Sequence, residues 1–242
     1  MIIYGRNPVV ELLRRKPELV EEVLLAREKR ERDVEFLRAL TGKSKLKMRE
    51  MGAKELSAMT KSEAHQGFVA RIREFPYADI SEIYSEDSSV GFAVALDSIQ
   101  DPQNLGALIR SAAAFGALGV IFPKDRSADL TPSAIKASAG LCFALPVAKV
   151  TNLARSLDEL SLRGFWIIGA EAKEGEDISK LDLPGKKALV IGGEEKGLRR
   201  LVKEKCHKLV KIPMTQGVDS LNASAAGAIM MFVIGEMDSG QR

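Results

Sequence analysis

The sequence predicts an α/β protein in which a larger parallel-sheet domain follows a smaller mixed α/β domain. From Val90 onward, short apolar runs alternate with helical segments, a pattern typical of a parallel sheet covered on both faces. The first 75 residues alternate helices and strands on a smaller scale, and the polar run SEDSS that follows is typical of a linker. We therefore expect domains at 1–75 and 90–242, joined by a linker at 76–89.

Apolar periodicity assigns the elements in order along the chain. In the smaller domain it predicts helices at Asn7–Arg15, Arg32–Ala39 and Ala53–Met59, and strands at Glu22–Ala26 and Gly67–Ile72. In the larger domain it predicts strands at Val90–Leu96, Leu118–Phe122, Phe143–Val147, Phe165–Ala170, Ala188–Ile191 and Leu209–Ile212. The helices expected there are Pro102–Phe115, Pro132–Gly140, Leu153–Leu162, Leu198–Cys206 and Ser220–Met237.

Composition excludes several classes of protein. With 242 residues, of which 45% are apolar, the chain is able to bury a core and is not disordered. Its apolar runs are too short to cross a bilayer and its N-terminus lacks the order of a secretory signal, so we expect a cytoplasmic protein without a membrane partner. Cys142 and Cys206 are expected to be reduced structural thiols. His65 and His207 have no partner spacing for zinc, so no metal site is expected.

The net charge of +3 is unevenly distributed. Residues 1–80 hold the basic excess, which peaks in a run that contains Lys43, Lys45, Lys47 and Arg49. Such a run suits contacts with phosphate groups, although a solvated surface explains it equally well from charge alone.

Polar residues follow three of the predicted strands, at the carboxyl ends where parallel sheets bind their ligands. After the first strand, Asp101 and Pro102 predict a helix start, with Asn104 in the first turn and Arg110 nearly two turns on. An arginine on such a helix binds phosphate or stabilises an oxyanion. In the plainer alternative, Asn104 supports the helix start and Arg110 forms a salt bridge.

The second and third loops also combine backbone freedom with polar side chains. Gly192 and Gly193 permit close approach of a ligand and precede Glu194, although this acid also suits the first turn of a helix. The dinucleotide order G-x-G-x-x-G is absent, which disfavours a conventional nucleotide-binding enzyme. In the third loop, Ser220 and Asn222 stand at a helix start with free backbone donors, where Ser220 is equally suited to a plain cap.

Three ordered motifs resemble those of a known family. DPQNLGALIRSAAAFG (101–116), IGGEEKGL (191–198) and the pair IPM and SLNASAA (212–214 and 220–226) resemble the motifs of the SpoU (TrmH-like) RNA ribose 2′-O-methyltransferases of the SPOUT class. YGRNPVVELL (4–13) and AHQGFVA (64–70) resemble, more loosely, the L30e-like RNA-binding domain of the members that act on ribosomal guanosine. One departure is Glu195, where the family usually has glycine.

The resemblance implies a fold, a cofactor and a set of site residues. The implied fold is a parallel-sheet SPOUT domain with a C-terminal trefoil knot, which periodicity cannot reveal. The implied cofactor is S-adenosyl-L-methionine, bound by Gly192, Gly193, Ile212, Met214, Ser220 and Leu221. The implied catalytic residues are Asn104, Arg110, Glu194, Ser220 and Asn222, and Lys43, Lys45, Lys47 and Arg49 are expected to bind RNA.

Methyl transfer to a ribose hydroxyl needs alignment of the two reactants and loss of the hydroxyl proton. The resemblance assigns activation of the 2′-hydroxyl to Arg110. Because a guanidinium is seldom deprotonated, our hypothesis is that Arg110 stabilises the developing alkoxide while a neighbouring phosphate or water receives the proton.

The resemblance also implies partners. The L30e-like domain favours 23S rRNA as substrate, and the small residues of the last helix suit a homodimer through the knotted region. Two alternatives stay open, which are the same chemistry on tRNA and a catalytically inactive RNA-binding relative. Retention of all five catalytic positions favours an enzyme.

Overall fold

The smaller of two sheets is built from the first 72 residues. The computed structural model describes residues 1–29, 31–41, 47–84, 89–194, 196–217 and 219–238. In chain order, the elements of this part are β1 (Ile2–Tyr4), α1 (Arg6–Arg15), β2 (Val20–Ala26), α2 (Glu31–Thr41), β3 (Lys47–Met51), α3 (Ala53–Thr60) and β4 (Phe68–Ile72). The strand order is β1-β4-β2-β3, with β4 antiparallel to both neighbours and β3 parallel to β2. The three helices and two strands predicted for this part are confirmed.

Two strands of this sheet escape prediction from the sequence. β1 has three residues, too few to show a period. β3 has the sequence KMREM, which contains too few apolar residues to indicate a strand. It is an edge strand, where charged side chains discourage pairing with another chain. The run predicted for phosphate contacts therefore ends in an edge strand that carries Lys47 and Arg49.

The larger sheet has seven parallel strands. In chain order, its part of the chain contains α4 (Ser81–Tyr84), β5 (Gly91–Asp97), α5 (Pro102–Ala114), β6 (Gly119–Pro123), α6 (Pro132–Ala137), β7 (Val147–Val150), α7 (Leu153–Leu162), β8 (Trp166–Ala170), β9 (Glu176–Asp177), β10 (Lys186–Gly192), α8 (Arg200–Lys203), β11 (Lys208–Lys211) and α9 (Ala223–Asp238). The strand order is β7-β6-β5-β10-β8-β11-β9, and each neighbouring pair is parallel. The predicted parallel-sheet domain is confirmed.

One helix and one strand near the middle of the chain differ from prediction. α6 ends at Ala137, well before Gly140, because Ala139 has a left-handed φ of 54° that interrupts the helix. The strand expected at Phe143–Val147 is wrong. A 3₁₀ turn occupies Leu141–Phe143 instead, and β7 begins only after a proline, which lacks the amide proton that a sheet needs.

Two C-terminal helices are shorter than predicted. α8 covers only Arg200–Lys203 of the helix expected at Leu198–Cys206. α9 begins at Ala223, not at Ser220, because the side chain of Asn222 caps it. At the N-terminal ends of both helices, residues that were expected to be helical belong to the loops that follow β10 and β11.

The beginning of the predicted linker packs against the larger sheet. Phe75 is buried, and its ring centroid lies 5.0 Å from that of Tyr77. The Ala78 amide donates a hydrogen bond of 2.9 Å to the Val147 carbonyl on the edge strand β7. The Tyr77 hydroxyl donates to the Asp129 carboxylate. These contacts attach the segment to the sheet.

The two sheets share a continuous hydrophobic core. α1 packs on α6 and on the turn after it, and Leu12, Phe92 and Ile135 belong to one buried cluster. A Cβ atom at Gly140 would lie 2.7 Å from Pro8 Cα, so only glycine permits this approach. The smaller sheet is thereby held against α6, which itself packs on α5.

None of the helices in the described ranges is long and apolar enough to span a bilayer.

Candidate active site

The first predicted loop positions Asn104 at the carboxyl end of the central strand β5. The Asp101 carboxylate caps α5, accepting hydrogen bonds from the amides of Gln103 at 3.0 Å and Asn104 at 3.3 Å. This is the helix start that Asp101 and Pro102 predict. It sets Asn104 in the first turn, where its side chain points toward the next loop.

The second predicted loop folds tightly on itself. A Cβ atom at Gly192 would lie 2.3 Å from the carbonyl carbon of Gly197, and one at Gly193 would lie 2.6 Å from the Ser98 carbonyl oxygen. The Gly197 amide donates a hydrogen bond of 2.9 Å to the Gly193 carbonyl. Both glycines are therefore required by close backbone contacts, and the loop presents Glu194 at its exposed tip.

A buried carboxylate anchors this loop to β5. Asp97 is fully buried, and its two oxygens accept hydrogen bonds from Arg199 Nε at 2.6 Å and from the Arg199 amide at 2.8 Å. Register pairs Asp97 with Gly192 on β10. Sequence reasoning missed this pair. The one available signal is an acid at the end of an apolar strand, where a partner is required.

The third predicted loop delivers Asn222. Its side-chain oxygen accepts hydrogen bonds from the amides of Ser224 at 2.9 Å and Ala225 at 3.3 Å, which caps α9. Ser220 and Leu221 precede the cap and are exposed. The plainer alternative, in which Ser220 caps the helix, is wrong.

Side chains from the three loops form one hydrogen-bonded network. Glu194 Oε1 accepts hydrogen bonds from Asn104 Nδ2 at 2.5 Å and from Asn222 Nδ2 at 2.6 Å. Asn222 Nδ2 also lies 3.1 Å from Asn104 Oδ1. Because Asn222 Oδ1 faces amide donors of α9, its Nδ2 must face the two acceptors. We call Asn104, Glu194 and Asn222 the edge network.

An apolar cavity of about 370 Å³ lies on one side of the edge network. Its walls include Ile212, Met214, Leu221 and Met230, with the backbone of the glycine loop on the opposite side. This size and lining suit a nucleoside-sized ligand. All six positions expected to bind the cofactor line this cavity, namely Gly192, Gly193, Ile212, Met214, Ser220 and Leu221.

A second, basic cavity of about 410 Å³ lies on the other side. Arg126, Lys196 and Arg199 line it together with Asn104 and two acidic residues, Asp101 and Glu194. The two cavities share Glu194 in their walls. Arg126 has a left-handed φ of 60°, a strained conformation that is common at functional sites. Sequence reasoning did not single out the three basic residues, of which Arg126 follows β6 and the other two lie in the loop after β10.

Two groups of predicted site residues are not part of this arrangement. Arg110 is exposed and lines neither cavity, and it forms no ion pair with any described residue. Lys47 and Arg49 lie on β3, where Arg49 Nη1 is 3.8 Å from the Glu22 carboxylate. Lys43, Lys45 and Glu195 lie outside the described residues.

The thiols are protected from reaction by their surroundings. Both cysteines are free. Burial raises the pKa of Cys142 to about 12 and the pKa of Cys206 to about 11, so both are protonated near neutral pH. In the parts of the chain that the structure describes, no three His, Cys, Asp or Glu side chains are grouped to hold a metal ion.

The arrangement of parallel sheet, glycine loop and capped C-terminal helix matches a protein family. The model of the SpoU rRNA methylase family matches residues 91–232, and a model described as RNA 2′-O ribose methyltransferase substrate binding matches residues 2–78. The chain belongs to the SpoU rRNA methylase family.

Two relatives resemble the chain over nearly its whole length. The chain is 37% identical over 233 residues to the 23S rRNA (guanosine-2′-O-)-methyltransferase RlmB of Pseudomonas syringae pv. tomato, covering 95% of this chain and 93% of that protein. It is 38% identical over 235 residues to Bacillus subtilis YacO, whose name assigns it to the TrmH family of tRNA/rRNA methyltransferases, covering 96% and 94%.

Solved structures share the fold. The AdoMet-bound rRNA methyltransferase from Sinorhizobium meliloti is 26% identical, with a TM-score of 0.80 over 97% of this chain and 86% of that one. The SpoU methyltransferase AviRb from Streptomyces viridochromogenes, in complex with AdoMet, has a TM-score of 0.82 at 24% identity, over 99% and 91%.

Proposed function

We propose that the protein transfers a methyl group from S-adenosyl-L-methionine to the 2′-hydroxyl of a ribose in RNA, and that the nucleotide is a guanosine of 23S rRNA. The observation that carries this proposal is the meeting of the apolar and basic cavities at the edge network. A methyl transferase needs one cavity for the donor and one for the acceptor, joined where the two react.

The apolar cavity fits the cofactor. Ile212, Met214 and Leu221 offer apolar surface to a purine. Gly192 and Gly193 line the same cavity. When bound, S-adenosyl-L-methionine supplies an electrophilic methyl group on a sulfonium.

The edge network holds the acceptor in line. Glu194 and Asn222 are already oriented by hydrogen bonds, so little reorganisation is needed when a ribose binds in the basic cavity. Asn104 lines that cavity directly, and Ser220 lines the apolar one. Arg126 and Lys196 provide positive charge for the phosphates that flank the ribose, whereas the Arg199 guanidinium is paired with Asp97.

We further propose that the protein is a homodimer and that Arg110 acts in the site of the partner. Arg110 lies outside both cavities of its own chain. On α9, Ala225, Ile229 and Phe232 form an exposed stripe at helical spacing, and Phe232 contacts Phe115 at the end of α5. A second copy that covers this stripe would bring its own α5, with Arg110, toward the cavities.

Mixing two inactive variants tests this arrangement. Arg110→Ala and Glu194→Ala would each be inactive alone, whereas random heterodimers would contain one intact site, giving about one quarter of wild-type activity. Activity that stays at background after mixing, or a monomeric mass in solution, would exclude an arginine contributed by the partner.

A trefoil knot accounts for the path of the C-terminal segment. β10 lies between β5 and β8, although β8 precedes it in the chain. β11 then pairs on the far side of β8, yet α9 returns to pack on α5, β5 and β10. We propose that this return passes through a loop of the chain. A crystal structure with an open path would exclude the knot.

The substrate assignment is supported by the relatives and by the smaller sheet. The Pseudomonas syringae relative is a 23S rRNA guanosine enzyme, and residues 2–78 match a substrate-binding model. We propose that residues 1–75 bind RNA, that 76–89 connect them to the catalytic domain at 90–242, and that the protein works in the cytoplasm. The tRNA reaction remains the alternative, because the Bacillus subtilis relative carries both substrates in its name.

Mapping of 2′-O-methyl groups tests the function. We expect one guanosine of 23S rRNA to lose its ribose methyl group in cells without the gene and to regain it when the purified protein acts on that RNA with S-adenosyl-L-methionine. A methyl group lost from tRNA instead would support the alternative. Unchanged ribose methylation in both RNAs would contradict the proposal.

A further inference from the structure

Three basic residues lie near the contact between the smaller sheet and α6. Arg6 begins α1, Lys29 follows β2, and Lys136 lies in the last turn of α6. Gln66 joins two of them, because its Oε1 accepts hydrogen bonds from Lys136 Nζ at 3.0 Å and from the Arg6 amide at 3.1 Å. We call Arg6, Lys29, Lys136 and Gln66 the junction cluster.

The backbone is shaped so that these side chains can converge. A Cβ atom at Gly5 would lie 2.3 Å from Lys136 Nζ, and one at Gly67 would lie 2.5 Å from Lys29 Cε. Gln66 itself has a left-handed φ of 55°, a strained conformation for a residue with a side chain. The two glycines therefore leave space for the side chains of Lys136 and Lys29.

The three cations have no carboxylate partner among the described residues. The Arg6 guanidinium lies 5.4 Å from the centroid of the Phe36 ring, and Lys29 Nζ lies 4.7 Å from that of Phe68. Lys136 is held by the neutral amide of Gln66 and is half-buried. Aromatic faces and an amide oxygen orient a cation without neutralising it, so the positive charge stays available to an anion.

Gln66 adds an outward-facing donor. Its two partners, an ammonium and a backbone amide, only donate, so the atom that faces them must be the oxygen. The amide nitrogen then points away, and it has no partner among the described residues. Gln66 is exposed. Two lysines beside this exposed amide donor match the oxygens of a phosphate group, and Arg6 adds positive charge over the Phe36 ring.

The junction cluster is connected to the basic cavity through the chain around α6. α6 connects the two, since the loop before it carries Arg126 and its last turn carries Lys136. The helix has six residues and is therefore about 9 Å long at 1.5 Å per residue. α6 also packs directly behind the site helix, because a Cβ atom at Gly106 would lie 2.2 Å from the Ala134 carbonyl oxygen.

We propose that the junction cluster binds backbone phosphates of the RNA substrate beside the nucleotide that enters the basic cavity. The proposal rests on the proposed function for the identity of the RNA. It assigns the contact to a seam between the two sheets, built from both, and not to the edge strand β3.

Salt dependence of RNA binding tests the proposal. The junction variant Arg6→Gln, Lys29→Gln, Lys136→Gln is compared with wild type on a transcript of 23S rRNA, with log Kd plotted against log salt concentration. Three lost phosphate contacts would reduce the slope by about two to three, at 0.7–0.9 for each contact. Lys136→Gln alone would reduce it by about 0.7–0.9 and guards against misfolding of the triple variant.

A matched control removes the same charge elsewhere. Arg73, Lys205 and Lys208 pair with the carboxylates of Glu21, Asp158 and Glu176, at 3.4, 2.8 and 3.1 Å. Their triple replacement by glutamine is expected to leave the slope near that of wild type. A junction variant with the wild-type slope, or a control variant that loses as much, would overturn the proposal.

Binding of S-adenosyl-L-methionine and methyl transfer are measured on the same samples. A reduced slope in a protein that methylates no RNA would refute the proposed function while supporting the junction cluster. A normal slope in a protein that does methylate RNA would refute the cluster alone.

Discussion

The edge network and the junction cluster differ in whether their charged groups have partners within the chain. In the edge network, two amides satisfy one oxygen of the Glu194 carboxylate within the chain itself. In the junction cluster, Lys136 has a single neutral acceptor and no carboxylate partner among the described residues. The first is oriented before any ligand binds, as a site that positions reactants requires. The second retains unneutralised charge, as a site that attracts a polyanion requires.

Removal of the Glu194 side chain is expected to have the largest effect, which is on the rate of methyl transfer. Glu194→Ala takes away the acceptor that orients Asn104 and Asn222, and misplacement of reacting groups by about 1 Å lowers rates on the order of a hundredfold. We expect kcat for methyl transfer to fall by about that factor, with affinity for S-adenosyl-L-methionine nearly unchanged. Steady-state kinetics and calorimetry measure the two quantities.

Glu204→Ala is the control for this prediction. Glu204 is an exposed glutamate whose 2.6 Å pair with Arg200 lies on α8 and its C-terminal end, so its removal is expected to leave kcat unchanged. If Glu194→Ala retained the wild-type kcat, the edge network would not be needed for positioning.

Weakening the Asp97 anchor is expected to have a smaller effect, on stability. Asp97→Asn keeps the shape but removes the charge that faces Arg199, and a hydrogen bond to a charged group contributes about 1.5–3 kcal/mol. We expect the free energy of unfolding to fall by an amount in this range and the Kd for S-adenosyl-L-methionine to rise, because the glycine loop loosens. Urea denaturation and cofactor titration provide the measurements.

Asp158→Asn provides the comparison for the anchor. Asp158 pairs with Lys205 at 2.8 Å on the surface, where such pairs contribute about 0–1 kcal/mol. Equal losses in the two variants would mean that burial of Asp97 brings no added stability.

Acid should weaken the attachment of the segment after β4, the smallest of the three effects. Burial raises the pKa of Asp129, but hydrogen bonds from Lys149 and Tyr77 outweigh it and hold the pKa below its usual value. A carboxylate with a lowered folded pKa stabilises the protein above its unfolded value, about 3.9, and this stability is lost as pH falls through the folded value. The unfolding free energy of wild type should therefore fall more steeply with acid than that of Asp129→Asn.

Tyr77→Phe refines this prediction. It removes one of the three hydrogen bonds that lower the Asp129 pKa, so its acid dependence should lie between those of wild type and Asp129→Asn. Urea denaturation between about pH 5 and pH 2 measures all three proteins. Identical acid dependence in wild type and Asp129→Asn would show that Asp129 does not anchor the segment.

Much of the site could be anticipated because strand ends are visible in the sequence. Asn104, Glu194 and Asn222 each follow a predicted strand, and the carboxyl ends of parallel strands meet at one edge. The pairing of Asp97 with Arg199 could not be anticipated, since the two residues are 102 positions apart and neither belongs to a periodic pattern. The start of α9 was misplaced because Ser220 and Asn222 are both good caps, and only the hydrogen bonds distinguish them.

The sequence by itself determined the alternation of strands and helices and the loops that carry chemistry, because periodicity and turn residues act over a few neighbouring positions. Tertiary structure decided which side chains meet. Arg110 lies six residues beyond Asn104 on the same helix, and at 3.6 residues per turn this points it to a different face, away from both cavities. Lys136 reaches Gln66 through the packing of the smaller sheet on α6, and contacts between elements so far apart in the chain depend on distances in space that no local pattern records.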